Sequence, residues 1–186
     1  ENKSRQMNKT VIAGLLLGKD HRDALPFSLN INNESVEFNL RKTPGIVFLG
    51  ANAASTMRTV VAQLNRSRPG VIEIGTPEDL AELYALFVLA YARWLVFSPP
   101  RAVIFPNIDA LCRNSSENCR RLSEILNKCR GLQLHAIAHA KKEVPRELKY
   151  AFSVRLEQFA SPEADGTNAA LEFRGNKQRI KLQLPG

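Results

Sequence analysis

The stretch Gly45–Gln63, Gly-Ile-Val-Phe-Leu-Gly-Ala-Asn-Ala-Ala-Ser-Thr-Met-Arg-Thr-Val-Val-Ala-Gln, constrains this chain more than any other. Apolar Ile46–Leu49 reads as a short buried strand, a run of small residues follows, and Val60, Val61 and Leu64 predict a helix over Thr56–Leu64. Strand, small-residue loop and helix together outline a phosphate-binding loop. In such a loop, glycines let backbone N–H groups approach phosphates, a lysine reaches the β/γ phosphates, and a Ser/Thr hydroxyl holds Mg²⁺. The letters here differ. A Gly-x-x-x-x-Gly-Lys-Ser/Thr register counted from Gly50 passes Ala51, Asn52, Ala53 and Ala54, then places Ser55 at the second glycine, Thr56 at the lysine and Met57 at the hydroxyl. The outline is kept without the cation or the magnesium ligand.

The rest of the chain supplies a sheet around that stretch. Val11–Leu17 reads as a strand ending at Gly18, and Asp20–Asp23 as a charged turn. Phe27, Leu29 and Ile31 alternate, Asn32-Asn33 turns the chain, and Val36, Phe38 and Leu40 alternate again, which predicts a hairpin. Arg66-Ser-Arg-Pro-Gly70 ends the first helix and Val71–Ile74 is a short strand. Thr76 then offers an N-cap, Pro77 the first helical position, and Glu78 and Asp79 the acidic first turn. The helix carries Leu80, Leu83, Tyr84, Phe87, Val88, Tyr91, Trp94 and Leu95 at helical spacing, a stripe expected to pack in the core rather than to bind a ligand.

Pro99-Pro100 breaks the chain before Ala102–Phe105, an apolar run typical of a strand covered on both faces. Ser115 or Ser116 starts a helix with Cys119, Leu122, Ile125, Leu126 and Cys129 on one face, and Gly131 stops it. Leu132–Ala138 is a further buried strand, Lys141–Tyr150 a basic loop with a short helix after Pro145, and Phe152–Phe159 an alternating strand. Ser161–Thr167 reads as a polar loop. Ala170–Phe173 and Arg179–Leu184 flank a hairpin turn at Gly175-Asn176. Strands alternating with helices between terminal hairpins predict an α/β fold, with a mostly parallel central sheet flanked by helices and antiparallel hairpins at both ends. Residues 1–10 read as a polar linker and residues 11–186 as one domain.

Composition narrows the function classes. The 186 residues carry a net charge of +8, which admits nucleic acid, anionic lipid or an acidic protein as a partner. The Lys and Arg residues are scattered from Lys3 to Lys181, however, with loose clusters only at Cys119–Arg130 and Lys141–Lys149, and without interleaved aromatics. That pattern favours a generally basic surface. No apolar run approaches the roughly 20 residues of a membrane span, and residues 1–10 lack the apolar core of a signal peptide. Three cysteines without a C-x-x-C pair suggest neither a zinc site nor a disulfide framework, and fit a reducing compartment.

Phosphoryl transfer needs a second site, an acidic residue at the end of a buried strand that holds magnesium. Here Ala102–Phe105 is followed by Pro106 and Asn107 at the acidic positions, with Asp109 two residues further. Two departures in the same topological order leave no evident source of charge stabilisation. His135 and His139 share a strand face but have no third ligand nearby, so they read as polar residues at a strand's C-terminal end rather than a metal pair. No G-x-S-x-G or similar nucleophile signature occurs.

Taken in order, Gly14-Leu-Leu-Leu-Gly-Lys-Asp20, a hairpin, Pro44-Gly-Ile-Val-Phe-Leu-Gly50, Ala102-Val-Ile-Phe-Pro-Asn-Ile-Asp-Ala-Leu111, Gly131-Leu-Gln-Leu-His-Ala-Ile-Ala138 and Arg179-Ile-Lys-Leu-Gln-Leu184 resemble an FtsK/SpoIIIE-type RecA-like ATPase domain. More narrowly, the chain is similar to the degenerate C-terminal repeats of type VII secretion ATPases (EssC/EccC-like). The resemblance spans about Val11 to Leu184, and places His139 where active members keep a glutamine sensor. Gly50–Met57 then become a vestigial nucleotide loop, Pro106, Asn107 and Asp109 a vestigial Walker B strand end, and His139 a vestigial sensor. These departures count against ATP hydrolysis and tight ATP binding by this domain, so no catalytic residue, metal or cofactor is expected of it.

The resemblance implies a pseudo-ATPase module on the cytoplasmic face of the cell membrane, within a membrane-anchored motor whose other domains hydrolyse ATP. It would recognise secreted WXG-type helical-hairpin proteins or regulate the neighbouring ATPase domains of its own chain, and it would reach the membrane only through the parent protein. A degenerate domain of an FtsK/HerA-like DNA translocase, or a divergent ATP-binding enzyme, are the alternatives.

Overall fold

The structure, a computed structural model, describes residues 26–39, 45–67, 72–92, 101–129, 134–163, 166–173 and 175–183. The segment 1–25, with the expected strand at Val11–Leu17 and its charged turn, lies outside these, as do Trp94, Leu95, Pro99-Pro100 and Gly131.

Among the described residues, nine strands form one open sheet in the order β2-β1-β9-β8-β7-β3-β6-β5-β4. These are β1 Pro26–Ile31, β2 Glu34–Asn39, β3 Gly45–Leu49, β4 Ile72–Glu73, β5 Arg101–Phe105, β6 Leu134–Ala140, β7 Val154–Glu163, β8 Gly166–Phe173 and β9 Asn176–Gln183. The contiguous strands β7, β3, β6, β5 and β4 pair in parallel. The two hairpin systems, from opposite ends of the sequence, meet on one flank, where β1 pairs antiparallel with both β2 and β9. At the first hairpin, Asn32 and Asn33 take φ of 52° and 67°, the left-handed pair that a tight two-residue turn between right-twisted strands demands.

Period-2 alternation sends each central strand's side chains to two cores. Ile46 and Phe48 of β3 join Ile104 and Ile137 beneath α1 (Ala53–Ser67), which contributes Ala53, Met57, Val60 and Leu64. Val47 joins Val103, Phe105 and Ala138 on the other face. That face is covered by α2 (Pro77–Tyr91) and α4 (Ser116–Lys128). Thr76 caps α2 by accepting from the Asp79 N–H at 3.1 Å, with Pro77 just inside, as the sequence predicts. Ser115 caps α4, whose Cys119, Leu122, Ile125, Leu126 and Cys129 are all buried.

Several details differ from the sequence reading. The α2 stripe is core only in part, because Leu80, Leu83 and Phe87 are buried while Val88 is 45% and Tyr91 59% exposed. Tyr91 instead stacks on Phe87 and lies under the Lys128 ammonium at 4.3 Å. Helix α1 begins at Ala53, three residues before the expected Thr56. The polar stretch expected as a loop at Ser161–Thr167 is the far end of the β7–β8 hairpin, which continues past an irregular register between Gln158 and Pro162 to the pair Glu163–Gly166. Asn176, expected in the last turn, instead opens β9 and pairs with Phe173. A short helix, α3 (Ile108–Cys112), was not anticipated; it exists because the Asn107 side chain accepts from the Ala110 N–H at 3.1 Å. The segment after Pro145 forms one 3₁₀ turn, Arg146–Leu148.

Candidate functional site: a loop closed by its own side chains

Ligands of open α/β sheets gather outside the carboxyl ends of the parallel strands. Here the ends of β3, β6 and β5 carry the residues singled out in the sequence. Gly50 follows β3 with φ +110°, and a Cβ placed on it would lie 2.5 Å from the Gln158 carbonyl oxygen, so only glycine fits. Its N–H donates to the Ala140 carbonyl at 3.0 Å and its own carbonyl accepts from the Ala53 N–H at 3.1 Å. The chain therefore turns at once into α1. Ser55 donates to the Asn52 carbonyl at 2.8 Å, tightening the turn from within.

The first helical turn decides what the loop can offer. Residues 53, 56, 57, 60 and 64 share one helical face, and that face is the core face. Thr56, at the position of the phosphate-binding lysine, is fully buried and donates to Gln158 Oε1 at 2.8 Å. Met57, at the hydroxyl position, is buried among apolar neighbours. Neither side chain is presented to solvent at the loop mouth.

His139 closes the other side. It is buried in β6, on the same face as Ile137, between the ends of the flanking strands β3 and β5. Nδ1 lies 3.0 Å from the Pro106 carbonyl oxygen and Nε2 3.0 Å from the Gly50 carbonyl oxygen. One imidazole thus spans the loop and the strand end whose separation would hold a magnesium nucleotide. Either neutral tautomer ties one of the two carbonyls, and a ring carrying both protons ties both. Of the remaining candidates, Asn107 caps α3, and the Asp109 carboxylate accepts from the Lys141 N–H at 2.6 Å. Asp109 thus fastens α3 to the exit of β6. The structure joins Gly50, Pro106 and His139 through one imidazole, pairs Thr56 separately with Gln158, and leaves Ala51, Asn52 and Ser55 exposed. His135 is buried at the start of β6, away from the strand's carboxyl end where the sequence reading put both histidines.

Gln158 is the residue that sequence reasoning missed. Its signal was present: Val154, Leu156 and Gln158 continue one inward-facing period, and a glutamine on a buried strand face needs a partner. Among the described residues, no group of three or more His, Cys, Asp or Glu is placed to hold a metal ion. Burial is the main force pushing the Cys112 and Cys119 thiols up, which leaves little thiolate for nucleophilic chemistry.

Taken together, the open parallel-rich sheet, the glycine turn after β3 and the helix behind it define the RecA-like fold of P-loop ATPases. Within that class, the solved structures it is similar to include secretion ATPases and a conjugation coupling protein. ATPases 2 and 3 of Thermomonospora curvata EccC, in complex with a signal sequence peptide, match 87% of this chain and 41% of theirs, at TM-score 0.62 and 11% identity. The pCW3 conjugation coupling protein TcpA, in a monomer form with ATPγS, matches 90% of this chain and 67% of its own at TM-score 0.62 and 11% identity. ATPases 2 and 3 of EssC from Geobacillus thermodenitrificans match 93% and 43%, at TM-score 0.59 and 14% identity. The chain thus has an FtsK/SpoIIIE-type ATPase likeness in fold, and spans less than half of the EccC and EssC chains. No protein-family model matches the sequence, and no curated protein does. Among the described residues, no helix is long and apolar enough to cross a membrane.

Proposed function

We propose that this chain is a non-hydrolysing module of a type VII-like protein-secretion motor. It acts by protein contact, in substrate recognition or in regulating neighbouring ATPase domains of the same parent protein, at the cytoplasmic face of the membrane. The observation that carries the non-hydrolysing half is the His139 bridge between the Gly50 and Pro106 carbonyls, with Thr56 turned inward onto Gln158. Filling these positions from within leaves no cation for the γ-phosphate and no carboxylate for magnesium, the two contributions on which phosphoryl transfer depends. The secretion half is supported by the fold likeness to EccC and EssC, and by the peptide bound to the EccC structure. In this reading the vestigial loop, Gly50–Met57, serves as a structural corner.

Calorimetric titration with Mg-ATP tests the first half. The natural sequence is expected to show no Mg-ATP binding at the Gly50–Met57 loop up to millimolar nucleotide, and Thr56→Lys to gain little there, because residue 56 points into the core. Micromolar binding at the loop by the natural protein would sink the reading. The likeness to TcpA, as strong as that to EccC, favours a second reading as a degenerate DNA-translocase domain. DNA binding that weakens steeply with salt would select it, since phosphate neutralisation releases counterions.

A further inference from the structure

Across the sheet from α1, a cavity of about 370 Å³ opens beside Leu49, the last residue of β3. None of its lining comes from the Gly50–Met57 loop. Its walls are the 142–149 segment and the faces of β7, β8 and β9 that carry Arg155, Glu157, Glu172 and Lys177. Five cations (Lys142, Arg146, Lys149, Arg155 and Lys177) face three carboxylates (Glu143, Glu157 and Glu172) around one space. Lys177 is spent on Glu157 at 2.9 Å. Among the described residues, Lys142, Arg146, Lys149 and Arg155 have no ion pair with a carboxylate, although Arg155 stands directly opposite Glu172 in the β7–β8 register.

Guanidinium groups left without a carboxylate at the wall of a concave site match the bidentate geometry of a phosphate. A cavity of this size suits a small molecule rather than a folded partner. The lining charge refines the class, since five positive and three negative groups leave two positive charges. A phosphate monoester carries about −1.5 to −2 at neutral pH and balances that excess. A nucleic acid backbone would instead run its repeated charges over Glu143 and Glu172. These two carboxylates can only accept hydrogen bonds, so they select a ligand that also carries hydroxyl or amino donors.

We propose that this cavity binds a small phosphate monoester bearing hydroxyl or amino groups, a sugar phosphate or a nucleoside monophosphate. Arg146 and Arg155 hold the phosphate, and Glu143 and Glu172 take up the donors. The site is separate from the loop at Gly50 and does not depend on the secretion reading.

Calorimetric titration of the whole chain with glucose 6-phosphate and with adenosine monophosphate, at fixed ionic strength, distinguishes the two sources. Saturable binding of either below about 1 mM, weakened at least tenfold in both Arg155→Ala and Arg146→Ala and unchanged in Arg58→Ala on α1, is the expected result. Glu172→Gln is expected to weaken the organic esters and to leave inorganic phosphate no weaker. Arg146 is exposed on a single 3₁₀ turn, so its variant keeps the test valid even if Arg155→Ala fails to fold. Absence of binding, equal binding of sulfate, or indifference to Arg146→Ala would each overturn the proposal. Any Mg-ATP binding is assigned by the same variants. Loss in Arg146→Ala places it in the cavity, whereas loss in Asn52→Asp, which adds a negative charge at the loop rim, places it at the loop and counts against the non-hydrolysing reading alone.

Discussion

Leu49 and Gly50 are consecutive residues, yet they border two regions that treat polar groups in opposite ways. On the Gly50 side, the Thr56 hydroxyl, the His139 ring and the N–H and C=O groups of Gly50 find partners within the protein. On the Leu49 side, four cations line a cavity without a carboxylate bound to any of them among the described residues. A buried polar network that is satisfied internally contributes rigidity, and one left partly satisfied is costly. Exposed charges cost little when unpaired, and so can be kept for a ligand. The loop region should therefore respond to mutation through stability and the cavity through binding.

The strongest challenge to this contrast is Gly50→Val. Its φ of +110° is unfavourable for any side chain, and the added Cβ meets a backbone oxygen that cannot rotate away. Conformational strain of about 1–2 kcal/mol and overpacking of about 1–3 kcal/mol together predict a loss of roughly 3 kcal/mol in urea denaturation. A loss under about 1 kcal/mol would mean that the loop shifts freely, and the view of it as locked would fail.

Thr56→Val comes next. It leaves Gln158 Oε1 buried without its donor, at a cost of about 1–3 kcal/mol. Adding Gln158→Leu replaces both partners by apolar groups, and the double variant is expected to be more stable than Thr56→Val alone. Additive losses in this cycle would show that the pair does not act as a unit. His139→Leu should cost somewhat less, about 1–2 kcal/mol, because the Gly50 carbonyl keeps its second donor, the Ala53 N–H. Hydrogen exchange at Ala53 reads this out: protection retained in the variant supports the arrangement, and full loss of protection contradicts it.

What the sequence made legible follows from range. The Thr76 cap, the Asn32-Asn33 turn and the one-sided face of α4 each depend on residues within a turn or two, and all stand in the structure. The parallel core was legible because apolar runs alternate with helical periods. The closing of the loop was not. Thr56 finds Gln158 across 102 residues, and His139 reaches Gly50 across 89 and Pro106 across 33. Motif comparison identified the positions where lysine and acid were replaced, but only the fold shows what the replacements touch. The cavity was less legible still. Lys141–Tyr150 read as a loosely basic loop because Arg155 and Lys177, which complete the lining, arrive on separate strands.

A third group of charges sharpens the comparison at its weakest end. On α4, the Glu117 carboxylate accepts from Arg120 at 2.8 and 2.9 Å and from Arg121 at 3.0 Å. Glu124 accepts from Tyr84 Oη at 2.7 Å and is also paired with Arg120. Hydrogen bonding from Arg120 first of all holds the Glu117 carboxyl down at about 2, and the Tyr84 hydroxyl is the main force lowering Glu124. A depressed carboxylate stabilises the fold fully above its unfolded value, here 4.5, and loses that contribution as pH falls towards about 2. Carbon-detected NMR titration should place Glu117 near that low value and return it towards 4.5 in Arg120→Ala, with a stability change at the limit of detection because these groups are solvent-exposed.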